Sequence, residues 1–338
     1  MSDFYLVIII TILTYLLNYF FKKNKIVLDI KSLPHKTFVS KDKVPITGGL
    51  ILIFSFLILI TLFTIDIKII IFFIFLLGFM SDLNYLKSPI KRFFLQIAIL
   101  LIFINVSDNL ISSLRIPFFD KLLEYEIFKN IITIFCYMVL INGSNFIDGV
   151  NISVLGYFIS ISIIFYLIIE KFSFDKDLFS INEVLILLSV LFLFNFFGKI
   201  FLGDGGVYLI ALLYGYYGIL LTNLDNSISP FCIAALFWYP SFECLFSIIR
   251  KTMFSKSIMR PDNSHLHHLI LKFIKTKHNF KDIMANTLTG IIINLTNAII
   301  FYNVYQNISQ TKNLILIITL SVILYIFSYV VLRKKLKI

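Results

Sequence analysis

Four polar islands interrupt an otherwise apolar chain, and each carries side chains suited to phosphate or to a hard cation. The central one is Asn195-Phe196-Phe197-Gly198-Lys199-Ile200-Phe201-Leu202-Gly203-Asp204-Gly205-Gly206, a lone carboxylate, a lysine and four glycines between two long apolar runs. Glycine lets a backbone turn tightly and approach a ligand closely. An aspartate at a membrane boundary is unfavourable unless something pairs with it, and a phosphate-bound divalent metal would do so. Read alone, the stretch is equally a short polar hairpin between two spans.

The second island, Ser81-Asp82-Leu83-Asn84-Tyr85-Leu86-Lys87-Ser88-Pro89-Ile90-Lys91-Arg92, has Gln96 one turn beyond it. Asp82 opposite Lys91 and Arg92 is either a structural ion pair or part of a ligand site. In the third, Asn142-Gly143-Ser144-Asn145-Phe146-Ile147-Asp148-Gly149-Val150-Asn151, the spacing of Asn145, Asp148 and Asn151 puts them on one face if the segment is helical. Three such groups at a membrane edge are hard to explain as packing. The fourth, Arg260-Pro261-Asp262-Asn263-Ser264-His265-Leu266-His267-His268, holds three of the five histidines. Zinc is disfavoured there because no second cluster of soft ligands accompanies them. Imidazoles hydrogen-bonding phosphate or sugar hydroxyls beside Arg260 fit better. Two lesser features are Pro34-His35-Lys36 with Lys43 to Gly49, and the intramembrane Glu243, a functional candidate by its depth or else an ion-pair partner of Arg250 or Lys251.

The elements that must position these groups follow from composition. With 59% hydrophobic residues, 14% charged and 38 Phe, the chain has too little polar surface for a soluble domain. About eleven apolar runs are long enough, or nearly so, to span a bilayer as helices: 4–21, 46–65, 67–81, 93–107, 127–141, 150–169, 184–197, 206–222, 229–249, 285–304 and 313–332. The expectation is an all-α, polytopic integral membrane protein of about ten or eleven transmembrane helices, one domain over 1–338, with a loop at 250–284. The first run reads as a retained span, having neither a basic start nor a small-residue cleavage site. Cys136, Cys232 and Cys244 fall inside spans and behave as small apolar residues.

Lys and Arg accumulate in cytoplasmic loops. An external N-terminus and a cytoplasmic C-terminus place 23 basic residues inside and 7 outside, and put all four islands on the cytoplasmic side. The +11 net charge thus forms a positive face suited to anionic lipid and phosphorylated ligands, and nothing resembles a nucleic-acid reader. The external loops 107–126 and 170–183 read as connectors, and the last two spans as carrying no chemistry. Carboxylates holding magnesium while cations hold phosphate oxygens are the recurring parts of phosphoryl transfer. At a membrane surface, that pattern suggests one substrate from the cytosol and one from the lipid.

From Pro34 to about His268, in order and sidedness, these islands resemble those of the bacterial polyprenyl-phosphate N-acetylhexosamine-1-phosphate transferases, in glycosyltransferase family 4. The resemblance implies Mg²⁺-dependent transfer (with Mn²⁺ as the alternative) of a sugar-1-phosphate from a UDP-N-acetylhexosamine to undecaprenyl phosphate. UMP would be released, in the first membrane step of a cell-surface glycan such as an O-antigen, at a bacterial inner membrane. Carried over, Asp204 resembles the magnesium ligand, with Asn145 a second contributor. Phe201 matches the aromatic position on which uracil stacks, Asn151 a position near uracil, and Asp148-Gly149 the family's Asp-Gly pair. Lys91 matches a basic residue near the phosphates. Asp262, His265, His267 and His268, beside Arg260, match the His-x-His-His loop of the branch using simple UDP-sugars. The cell-wall phospho-N-acetylmuramoyl-pentapeptide transferase has a different histidine run, which argues against that substrate.

This chain departs from the pattern at Ser81-Asp82, where the family has paired aspartates, and at Glu243, where it usually has Asp. A phosphate monoester is largely dianionic at pH 7. The expected chemistry is therefore direct attack on the β-phosphorus, with Asp82 positioning the lipid phosphate or a metal-bound water. A transporter of polyprenyl-linked sugar is the competing class, but it would place ionisable groups near the midplane, where only Glu243 lies. Homodimerisation stays open.

Overall fold

The computed structural model describes residues 3–24, 44–59, 63–175, 179–253, 264–277 and 280–337. Pro34, His35, Lys36, Lys43, Arg260 and Asp262 lie outside the described residues. Among the described residues every element is an α-helix, and each of the eleven apolar runs becomes one, except the ninth, which becomes two. In order these are α1 (Asp3–Asn24), α2 (Gly48–Leu59), α3 (Ile65–Asp82), α4 (Pro89–Ser107), a short α5 (Pro117–Leu122), α6 (Glu126–Ile147) and α7 (Ser153–Lys171). Then come α8 (Ile181–Phe196), α9 (Gly203–Leu224), α10 (Pro230–Leu236), α11 (Trp238–Met253), α12 (Leu266–Lys277), α13 (Asp282–Gln306) and α14 (Thr311–Leu336).

By length and apolarity 7 of these helices suffice to cross a membrane, or 8 if α10 and α11 count as one bent span. The apolar α2 and α8 are shorter, at 12 and 16 residues. The protein is a polytopic helical membrane protein. Its helix α9 is buried along most of its length, whereas α1 and α14 turn most of their apolar residues outward, as helices facing lipid do.

Helix α9 is the axis, packed by α2, α3 and α6. Its first turn explains two of the glycines. A Cβ on Gly78 of α3 would lie 2.6 Å from the Gly205 Cα, and one on Gly49 of α2 would lie 2.7 Å from the Gly206 nitrogen. Both helices therefore meet α9 at backbone distance, as small residues allow in membranes. Gly205 and Gly206 serve helix packing, whereas Gly203, at φ +77°, makes the turn into α9.

The ninth run breaks by 71° between α10 and α11. Pro240 has no N–H to give the Leu236 carbonyl one turn back, which opens the helix. The Tyr157 hydroxyl donates to that carbonyl instead, at 2.7 Å.

The third island is not one helical face. Helix α6 ends at Ile147, Asp148 is its C-cap, and Ile152 is left-handed at φ +58° before α7 starts. Asn145 therefore stands in the last turn of α6, and Asn151 in the turn beyond it. The broken helix is stabilised from elsewhere. Asn195 of α8 accepts from the Ile152 N–H, and its Nδ2 donates to the Ile200 carbonyl at 2.7 Å. From α13, Asn286 Oδ1 accepts from the Asn151 N–H at 2.7 Å, and Asn294 Nδ2 donates to the Ile152 carbonyl at 2.8 Å.

Candidate active site

The close approach of α3 to α9 brings the second island to the central one. Asp82, the last residue of α3, accepts from the backbone N–H groups of Asp204 at 3.1 Å and Gly205 at 3.3 Å. It thus satisfies amides that a helix start leaves open, and its charge suits the positive end of α9. The Asp204 side chain is clamped in turn: Ser81 Oγ donates to its Oδ2 at 2.8 Å, and Arg92 Nη1 donates to the same oxygen at 3.1 Å. Arg92 also reaches the Ser81 hydroxyl. The basic partner here is Arg92, while Lys91 is exposed in the first turn of α4, its amide received by the cap residue Ser88. The sequence offered both cations; the helix register of α4 turns Arg92 inward, along with Gln96 four residues on.

Polar contact continues inward. Asn142 Nδ2 of α6 donates to Gln96 Oε1 at 3.1 Å, which joins the third island to the second. Asn145 makes no hydrogen bond to Asp204 among the described residues.

Phe201 is pinned through its backbone. Its N–H donates to the Pro45 carbonyl at 2.9 Å, and its carbonyl accepts from the Gly48 N–H at 3.0 Å. The ring is half-buried. Asn151 is buried, with Nδ2 3.2 Å from Thr287 Oγ1 and Oδ1 without a partner among the described residues.

The histidines form a third corner. Gly149 underlies His267 so closely that a Cβ there would stand 2.0 Å from its Nε2. His267 is fully buried, neither ring nitrogen has a partner among the described residues, and its ring lies 4.0 Å from that of His268 and 5.6 Å from that of His265. Burial above all, then the neighbouring His268 and His265, holds its pKa well below the ordinary 6.5, so His267 is neutral. Lys251 lies 5.9 Å over the Phe146 ring. The oxygens of Glu243 meet His265 Nδ1 at 2.8 Å and the Tyr325 hydroxyl at 2.7 Å. Asp148 is half-buried at the end of α6.

Asp82, Asp204, Asn151 and His267 are thus drawn to one end of the bundle, where α3, α6, α8 and α11 finish and α4, α7, α9 and α12 begin. The last two helices supply polar contacts at this end, through Asn286, Thr287 and Tyr325. Single polar residues inside long apolar runs gave no spacing to read.

For a divalent ion, the donor set is two carboxylates at the start of α9. Among the described residues, no group of three or more His, Cys, Asp or Glu side chains is arranged to hold a metal ion by itself. This fits Mg²⁺, which uses one or two carboxylates, keeps waters and takes its other oxygens from substrate phosphate. It does not fit a structural zinc site.

Fold and site together define a polytopic membrane protein with a cluster of carboxylate, guanidinium, amide and imidazole groups at one end of its helices. Residues 64–222 match the family described as Glycosyl transferase family 4. A relative from Bacillus subtilis (strain 168), called probable undecaprenyl-phosphate N-acetylglucosaminyl 1-phosphate transferase, is 28% identical over 210 residues, 60% of this chain and 56% of its own. The decaprenyl-phosphate N-acetylglucosaminephosphotransferase of Mycolicibacterium smegmatis (strain ATCC 700084 / mc(2)155) is 30% identical over 119 residues, 31% of this chain and 29% of its own. The chain therefore spans about half the length of the first relative and under a third of the second. The family match covers 159 of the 338 residues, a little under half of the chain.

Proposed function

We propose that this protein transfers N-acetylhexosamine-1-phosphate from a UDP-sugar to undecaprenyl phosphate, giving undecaprenyl-diphospho-sugar and UMP. The carrying observation is the junction at which Asp82 caps α9 while Arg92 and Ser81 hold Asp204. It places two carboxylates and a guanidinium at one helix start, a natural anion site.

In this reading a lipid phosphate oxygen attacks the β-phosphorus of the donor, and the bond from that phosphorus to the bridging oxygen breaks. UMP departs with that oxygen. The lipid phosphate is a dianion above its second pKa near 6, so no base is needed, which accommodates Ser81 in place of a second aspartate. Arg92, rather than Lys91, meets the phosphates. Asp204 would hold Mg²⁺, with Asp82 or Asn145 as a further contributor. Bound there, Mg²⁺ (or Mn²⁺) neutralises charge developing on the UMP leaving group.

Phe201, fixed by Pro45 and Gly48, is the surface for uracil. The Oδ1 of Asn151, without a partner among the described residues, accepts from the base, and Gly149 lets the His267 ring pack against the same turn. His265, His267 and His268 serve the sugar phosphate, a role that the sequence also suggests for Arg260 and Asp262 outside the described residues. The sided distribution of Lys and Arg supports a cytoplasmic active site in a bacterial inner membrane. A cell-surface glycan pathway, O-antigen among them, is the expected destination.

The test is purified protein with undecaprenyl phosphate, Mg²⁺ and a panel of UDP-HexNAc donors, scored for UMP. Release with at least one donor is expected. No UMP from any donor, while lipid-linked sugar crosses protein-bearing liposomes, would replace the transferase by a transporter.

A further inference from the structure

Helix α14 carries no polar island, yet two of its tyrosines enter the histidine corner. Tyr325 donates to Glu243 Oε2 at 2.7 Å, and His265 Nδ1 lies 2.8 Å from Oε1, so both oxygens of a fully buried carboxylate are used. Arg250, two turns along α11 from Glu243, donates to the Tyr329 hydroxyl at 3.0 Å and to the Ser264 carbonyl. The residue preceding His265 is therefore anchored from the same two helices that hold its ring.

A carboxylate accepting at Nδ1 sets the tautomer and orientation of an imidazole, a role usually seen behind ligand-binding histidines. Here the oriented ring lies parallel to His267, at an interplanar angle of 5°. Among the described residues neither nitrogen of the fully buried His267 has a partner, an arrangement that is unfavourable until a ligand supplies a hydrogen bond.

We propose that Glu243 and Tyr325 are positioning residues for the nucleotide-sugar donor: they lock His265, and through its stacked ring they hold His267 where it hydrogen-bonds the donor's sugar phosphate. This rests on the transferase reading. The brace comes from α11, α14 and the start of α12, none of which supplies Ser81, Asp82, Arg92 or Asp204. It therefore acts on the donor and leaves the lipid acceptor alone. Neither residue touches the reacting atoms.

The experiment is steady-state UMP release by the full-length protein in detergent, with UDP-N-acetylglucosamine and undecaprenyl phosphate varied independently. Should wild type prefer another UDP-HexNAc, that donor replaces it. Loss of one hydrogen bond to a buried charge predicts that Tyr325→Phe raises the donor KM about tenfold. Its kcat stays within about twofold and the acceptor KM is unmoved, the signature of lost uniform binding. In a His265→Gln background, Tyr325→Phe adds nothing further, because the path runs through His265. Glu243→Gln reproduces the donor effect. An unchanged donor KM in an active Tyr325→Phe protein overturns the proposal. So does a fall confined to kcat, which a smaller folded fraction would give, or full additivity with His265→Gln. A wild type silent with every donor overturns the transferase reading, and the brace with it.

Discussion

Gly78→Ala is a one-methyl change on a helix face that touches no proposed substrate, yet the packing predicts that it dismantles the acidic junction. The added Cβ would sit 2.6 Å from Asp204 C and from the Gly205 nitrogen and Cα, all backbone. Restoring ordinary contact near 3.4 Å requires α3 and α9 to part by about 0.8 Å. The same displacement stretches the bond from Asp204 N–H to Asp82 from 3.1 Å to about 3.9 Å, past hydrogen-bonding range. Overpacking costs about 1–3 kcal/mol and a lost helix cap about 1 kcal/mol, a total of roughly 2–4 kcal/mol. A positional error near 1 Å also costs about 100-fold in turnover. Thermal unfolding in detergent reads the first effect and UMP release the second. A Gly78→Ala protein that unfolds at the wild-type temperature and turns over normally would show that α3 does not hold Asp82 by backbone contact, and the positional argument would fail.

Other substitutions probe the remaining parts. Asp204→Asn should reduce UMP release by several orders of magnitude, because a metal clamp supplies several kcal/mol of transition-state stabilisation; near-normal release would remove Asp204 from the chemistry. Ser81→Asp replaces a hydroxyl donor 2.8 Å from Asp204 Oδ2 with a second negative charge. Its unfolding temperature should drop by a few degrees in EDTA and recover in Mg²⁺ beyond the wild-type response, since Arg92 compensates only part of the added repulsion; equal responses to Mg²⁺ would contradict a cation at this junction. His267, neutral because burial lowers its pKa below 6.5, binds fewer protons folded than unfolded. Its contribution to stability is complete above pH 6.5 and is lost as pH falls below that, by up to about 1.4 kcal/mol per pH unit. Unfolding temperatures between pH 7.5 and 5 should therefore fall more steeply for wild type than for His267→Asn, and parallel curves would refute the assignment.

Much of the architecture could be read without coordinates because bilayer-length apolar runs are a strong signal. All eleven runs correspond to helices, and the ninth departs where Pro240 frees the Leu236 carbonyl. The islands were equally visible, since Asp82, Asp148, Asp204 and the histidines stand out against an apolar background. Their partners were not. Whether Lys91 or Arg92 faces Asp204 depends on the rotation of α4, which adjacent residues cannot disclose. Extending helical spacing through Asn151 failed because Asp148-Gly149 ends α6, and the turn that follows is held by α8 and α13. Asn286, Thr287 and Tyr325 are isolated polar residues in long spans, and only tertiary packing gives them a role. Gly205 and Gly206 were read as ligand-approach glycines, whereas a neighbouring helix backbone fills the space above each.

The central claim is that the donor gives up its sugar with one phosphate attached. UDP-N-acetylglucosamine, or whichever UDP-HexNAc the protein prefers, labelled with ³²P at the β position and incubated with purified protein, Mg²⁺ and undecaprenyl phosphate, tests this directly. The account predicts label in the organic-extractable lipid and unlabelled UMP in the aqueous phase. Label remaining in aqueous UDP, with sugar alone on the lipid, would contradict attack at the β-phosphorus.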